Sequence, residues 1–173
     1  MTVEKCEVPN SSVLDRSVID GAYFRDSYRT RLGSTQATVV QVFHSVFGHH
    51  PVWMRYVLIV RNYIASWYGL EAPTSAEIMN PAIKSSYLVG DKIGPWPIFS
   101  LNEKELVAGR NNKHLDFRLS VLKETNGHGA SAVISTVCTT HNVFGKIYLF
   151  FVIPFHKWGV QKLILRAHQA GRL

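Results

Sequence analysis

The stretch that most limits what this chain can fold into is its end, residues 141–173, HNVFGKIYLFFVIPFHKWGVQKLILRAHQAGRL. Phe144, Tyr148, Phe151, Phe155 and Trp158 recur at three and four residues, which is a helical spacing. Leu149, Val152 and Ile153 fill the flank, so the first half of the helix is apolar nearly all round and must be covered on most sides. Asn142 stands where a side-chain acceptor would cap the first turn. Pro154 lies inside the pattern and predicts a kink or an interruption, because proline carries no backbone donor. Beyond it the helix turns basic, with Lys157, Lys162, Arg166 and Arg172.

The rest of the chain must supply the cover. Residues 1–20 are mixed and polar and read as an N-terminal arm, leaving 21–173 as one domain. In residues 23–32, YFRDSYRTRL, Phe24, Tyr28 and Leu32 share one parity and Arg25, Arg29 and Arg31 do not, as in a strand with one wet face. Two short helices follow. Ser34 is placed to cap the first, which runs to Phe47 with Gly48 behind it. Pro51 opens the second, with Trp53, Val57, Val60, Ile64 and Trp67 on one side and Gly69 at its end.

Residues 70–86 carry Pro73 and Pro81 and read as a loop. A meander then runs through 98–101, 105–108, 114–123 and 130–141, broken by polar turns, with Asn126-Gly127 as the strongest hairpin signal. Residues 87–89 are a further candidate strand, followed by a Gly/Pro turn region, GDKIGPWP.

Helices segregated from an antiparallel run give an α+β fold. A curved antiparallel sheet wrapped around the long C-terminal helix satisfies both apolar surfaces, and this is the helix-grip arrangement. It predicts a cavity between sheet and helix, walled by Leu115, Phe117 and Leu119 from one strand and Tyr148, Phe151, Phe155 and Trp158 from the helix.

His114, Asp116 and Arg118 alternate with those apolar residues. A two-residue turn at Asn126-Gly127 pairs Asp116 with Val137 and Arg118 with Ser135, and gathers the polar triplet on one face with Thr139 and His141. As a catalytic cluster, His141 would be a base oriented by Asp116, with Arg118 holding an anion. As plain structure, the same residues are a surface ion pair beside a strand-end histidine, worth at most about 1 kcal/mol. The structural alternative carries more weight, so the chain leans away from being an enzyme.

Other chemistries have less behind them. His44, His49 and His50 straddle a helix end without a neighbouring carboxylate or cysteine, so no metal site is expected. Cys6 and Cys138 have no paired spacing and read as reduced thiols of a cytoplasmic protein. The start, MTVEKCEVPN, lacks the apolar core of a signal peptide, and residues 143–155 are too short to span a bilayer.

The net charge is +7, and no Asp or Glu occurs after Glu124 while five Lys or Arg do. No nucleic-acid motif accompanies that charge, so nucleic acid is not expected. A basic end of this kind also suits peripheral contact with an anionic membrane surface. A second copy of the chain covering the apolar helix is a further reading.

Three ordered segments, GDKIGPWPIFS, HLDFRLSVL and TTHNVFGKIYLFFVIPFHKW, resemble bacterial family 2867 of the domains of unknown function. PVWMRYVLIVRNYIASWYGL resembles that family's second helix, and the likeness covers roughly residues 20–168. The resemblance implies a domain similar to the START-like, helix-grip superfamily of hydrophobic-ligand carriers and polyketide cyclases. Relatives occur alone and behind NAD(P)-binding dehydrogenase-like domains. This chain has no GxGxxG segment, so no dinucleotide-binding partner domain and no cofactor are expected.

The family has no agreed activity. The leading expectation is therefore a carrier of a small apolar or amphipathic ligand. The alternatives are a cyclase- or isomerase-like enzyme using His141, Asp116 and Arg118 with His114 nearby, and a protein- or membrane-surface module using the basic C-terminal helix.

Overall fold

The structure, a computed structural model, describes residues 3–49, 56, 59, 62, 63, 84, 86–127 and 129–173. Among these, seven strands form one sheet: β1 (Glu4–Cys6), β2 (Phe24–Leu32), β3 (Lys92–Ile93), β4 (Trp96–Leu101), β5 (Glu105–Asn111), β6 (Leu115–Asn126) and β7 (Gly129–Thr140). Their order is β1-β2-β7-β6-β5-β4-β3, and every described pairing is antiparallel. Three helices accompany them, α1 (Arg16–Asp20), α2 (Val39–Phe47) and α3 (Val143–Gln169). The fold is the expected helix grip, a curved antiparallel sheet with the long C-terminal helix across its inner face. Of the helix expected after Pro51, Tyr56, Ile59, Asn62 and Tyr63 are described and are helical, and its other residues lie outside the described residues.

The sheet holds more strands than the five or six expected. β3 comes from the turn region at Gly94, whose φ of 56° suits glycine. Residues 4–20, read from the sequence as an arm, add β1 to one edge and α1 to the outer face. Their anchor is Glu105, buried in β5 on the outer side. Its carboxylate accepts from Ser12 Oγ at 2.6 Å, from the Val13 backbone N–H at 2.7 Å and from Ser120 Oγ. Val8, Leu14 and Ile19 then pack on Val107 and Val137.

The main core lies on the other face. Val160, Leu163, Ile164 and Ala167 of α3 meet Val42, Phe43 and Val46 of α2 over Tyr28, Leu119, Val121, Ala132 and Ile134. Burying each of the larger aliphatic side chains contributes about 1.5–3 kcal/mol, which fixes the second half of α3 on the sheet. α2 is capped by Thr38, in a reciprocal box with Gln41, and not by Ser34. Thr38 wins because the helix starts at Val39, four residues later than expected.

The β6–β7 hairpin turns one residue later than the Asn126-Gly127 reading, with Asn126 opposite Gly129. Asp116 therefore faces Thr139 and Arg118 faces Val137. The slip is two residues, and because side chains alternate with period two, every residue keeps its expected face.

The start of α3 is fixed on both sides. Asn142 caps it, its Oδ1 accepting from the Gly145 N–H at 3.2 Å and from His114 Nδ1 at 3.1 Å. Its Nδ2 donates to the Lys113 carbonyl at 3.2 Å. Gly145 sits so close to β6 that a Cβ there would lie 2.2 Å from the His114 carbonyl oxygen. Pro154 does not interrupt the helix, which runs unbroken through it. Pro154, and Phe150 one turn before it, face solvent, where a carbonyl without its helical donor can bond water.

Candidate functional site

Two groups of polar side chains lie on opposite faces of the sheet. The inner group was not expected. Asp26 falls on the inner parity of β2, between Phe24 and Tyr28, and its side chain is 1% exposed. Thr136 of β7 is its register partner, also buried, and side chains so paired stand about 5 Å apart at Cβ. His156 reaches down from α3, its Nε2 3.3 Å from Asp26 Oδ1 and its ring edge-on to Phe24. The Tyr28 phenol is held above its ordinary pKa of 10.0, chiefly by burial and also by the Asp26 charge, against a lowering hydrogen bond from Gln161.

The group is not fully paired. Among the described residues, Asp26 Oδ2 and Thr136 Oγ1 are buried and lack a hydrogen-bond partner. A buried polar atom left without a partner costs about 1–3 kcal/mol, more for a charged group, so two on adjacent strands ask for an explanation. The long contact to His156 and a hydrogen bond with the Tyr28 phenol engage the carboxyl group but leave its Oδ2 without a partner among the described residues. On one side of the group lies the main core. On the other lies a smaller apolar cluster of Phe24, Leu115, Cys138 and Leu149, with Phe117, Tyr148 and Ile153 partly buried against it.

The outer group holds Asp116, Arg118 and His141 of the expected cluster. His141 Nε2 lies 3.1 Å from Asp116 Oδ1, which also accepts from the Asn112 N–H. Arg118 lies 3.8 Å over the Phe99 ring and donates to the Phe117 carbonyl and to Asn111 Oδ1. Burial lowers its pKa below the ordinary guanidinium range, while Asp116 opposes that shift. An open groove of about 260 Å³ between α1 and the sheet is lined by Ser17, Gly21, Asp116, Arg118 and Thr139 among others. A second, of about 220 Å³, shares Val18 and Arg118 with it. His114 is drawn away to the Asn142 cap. The sheet thus separates this cluster from the helix and from the apolar walls, so no single cavity among the described residues holds both.

The seven residues expected to wall a pocket do not all meet. Leu115, Phe117 and Leu119 face α3, and Tyr148 packs beside them. Phe151, Phe155 and Trp158 are 64%, 71% and 50% exposed, on the side of the helix away from the sheet. The inward stripe is Gly145, Leu149, His156, Val160, Leu163 and Ala167, one residue out of phase with the aromatic spacing. Where a helix is apolar all round, spacing alone does not choose the buried side. Contacts choose it here, through the close approach at Gly145 and the reach of His156 to Asp26.

Residues 18–163 match the family described as "Protein of unknown function (DUF2867)". The chain belongs to that family. The DUF2867 match takes in both polar groups and the first half of α3. No curated protein matches the chain. In this DUF2867 chain no group of three or more potential metal ligands occurs among the described residues, and no described helix is long and apolar enough to cross a membrane. Among the described residues, Cys6 and Cys138 are not joined in a disulfide.

One signal for the inner group was present in the sequence of this DUF2867 member. Asp26 is an acidic residue on a parity otherwise held by Phe24, Tyr28, Thr30 and Leu32, and a carboxyl group on a core-facing parity seldom stands there without a partner or a task.

Proposed function

We propose that this chain is a binding domain, START-like in kind, that holds a small amphipathic molecule between the sheet and the last helix. The polar end of the ligand meets Asp26 and Thr136, with His156 and Tyr28 beside them. Its apolar part runs along Phe24, Leu115, Phe117, Leu149 and Tyr148. This reading rests on the two buried oxygens without partners, Asp26 Oδ2 and Thr136 Oγ1.

An ionised carboxylate only accepts hydrogen bonds, so the ligand end must donate, as a hydroxyl, an N–H or an ammonium does. A carboxylate or phosphate end would meet Asp26 charge to charge.

The test is a thermal-shift series with an alkyl alcohol, amine and carboxylate of equal chain length. The alcohol and the amine raise the melting temperature and the carboxylate does not. Asp26→Asn and Thr136→Val each reduce the shift. A carboxylate that stabilises as well as the alcohol, or no shift from any of the three, overturns the proposal.

The Asp116–His141 contact at 3.1 Å favours a second reading, acid–base chemistry on a small polar molecule in the outer groove. His141→Asn would abolish such turnover while leaving the alcohol shift intact.

A further inference from the structure

The outward side of α3 is used by neither polar group. At about 100° per residue, Phe144, Ile147, Phe150, Phe151, Phe155 and Trp158 gather opposite the buried stripe. All six are exposed, Phe155 most of all. Aromatic side chains carry roughly 150–250 Å² each, so this ridge presents about 600 Å² of apolar surface, at the upper end of what a monomer shows. Lys146 and Lys157 are exposed along its flank, and in the second half of the helix the same side continues as exposed Lys162 and Arg166. No acidic residue lies on α3 or anywhere after Glu124.

We infer that this ridge is a membrane-docking face that lies in the headgroup region of an anionic bilayer. The charge pattern selects the occupant. Aromatic rings with lysines along the flank and no carboxylate match the interfacial helices that sink an apolar side a few ångströms into the acyl boundary, while their cations meet anionic headgroups. A second copy of the chain would bring two basic, acid-free helices together in a self-complementary contact, like charge to like charge. The ridge is the convex back of a helix, a shape suited to a broad surface and not to enclosing a small molecule. The inference is carried by the ridge alone and does not depend on the inner site.

The full chain is floated with vesicles of phosphatidylcholine alone and with vesicles in which about one third is phosphatidylglycerol. The expected result is binding to the anionic vesicles at least about ten-fold tighter than to the neutral ones, weakened by added salt. The double substitution Phe151→Ser with Phe155→Ser should abolish flotation, as should Lys146→Glu with Lys162→Glu. Far-UV circular dichroism shows that each variant stays folded, and because the two variants fail by different routes, either one that folds decides the test. Equal binding to both vesicle types, no binding, or parental binding by a folded variant overturns the inference. So does sedimentation showing that the parent is a dimer and the serine variant a monomer, which would assign the ridge to a second copy of the chain.

Discussion

Asn142→Ala tests how the last helix is fixed to the sheet. The Asn142 side chain does three things at one point. Its Oδ1 caps α3 through the Gly145 N–H and also accepts from His114 Nδ1, and its Nδ2 donates to the Lys113 carbonyl. Loss of a capping side chain costs about 0.5–2 kcal/mol, and the two further contacts, at a half-exposed site, add about 0.5 kcal/mol each. The expected loss is about 1.5–3 kcal/mol, which at about 2–4 °C per kcal/mol for a chain of this size is a fall in Tm of about 3–12 °C. Asn142→Asp keeps the capping oxygen and adds a charge that the helix N-terminus favours, so it should lose only about 1 kcal/mol. Urea denaturation monitored by circular dichroism reads all three proteins. A loss below about 0.5 kcal/mol for the alanine variant would refute the reasoning, as would an aspartate variant worse than the alanine one.

Three other predictions follow from buried groups. Thr136→Val removes a buried hydroxyl that has no partner, so the ligand-free protein should gain about 1 kcal/mol, and a loss of that size would show that the hydroxyl is bonded. Glu105→Ala frees the Ser12 and Val13 contacts and should cost about 3–5 kcal/mol, with protease cleavage appearing first within residues 8–20. Uncut protein at protease levels that cleave a loop would contradict it. Burial lowers the pKa values of His44, with His49 adding to the effect, and of His168, from an ordinary 6.5. Below pH 6.5 the unfolded chain therefore binds more protons than the folded one. Stability is full above that value and falls as pH drops toward the lowered folded values. Tm should decline from pH 7.5 to 5.5, less steeply in His168→Gln, and a Tm that rises on acidification would be contrary.

Much of the fold was legible because the signals were local. Asn142 marked the helix start, and alternation in residues 24–32 marked an inner and an outer face. Asp116 and Arg118 kept their predicted face despite a two-residue register slip, since parity survives an even shift. What failed was the phase of α3. Its first half has apolar residues on every side, so the aromatic spacing carried no information about burial. Its second half did. Val160, Leu163, Ile164 and Ala167 stand out against Lys162 and Arg166, and stepping back from them by sevens reaches Ile153, His156 and Leu149 on the buried side.

β1 and α1 were hidden for another reason. The anchor of residues 4–20 is Glu105, distant in sequence, and no local pattern reveals that a strand carboxylate will take up Ser12 and Val13. The inner polar group was half visible. Asp26 was out of place on its parity, but its neighbours Thr136 and His156 come from elements joined to it only by the fold.

As proposed, Asp26 and Thr136 receive the donor end of a small amphipathic molecule. Native mass spectrometry of the freshly purified chain tests it most directly, followed by solvent extraction of whatever travels with it. The expected result is a mass above the bare chain, an extracted molecule with a hydroxyl or amine at one end and an apolar remainder, and loss of that extra mass in Asp26→Asn. A bare chain that also takes up no alkyl alcohol or amine added in excess would contradict it, as would a bound molecule that stays bound in Asp26→Asn.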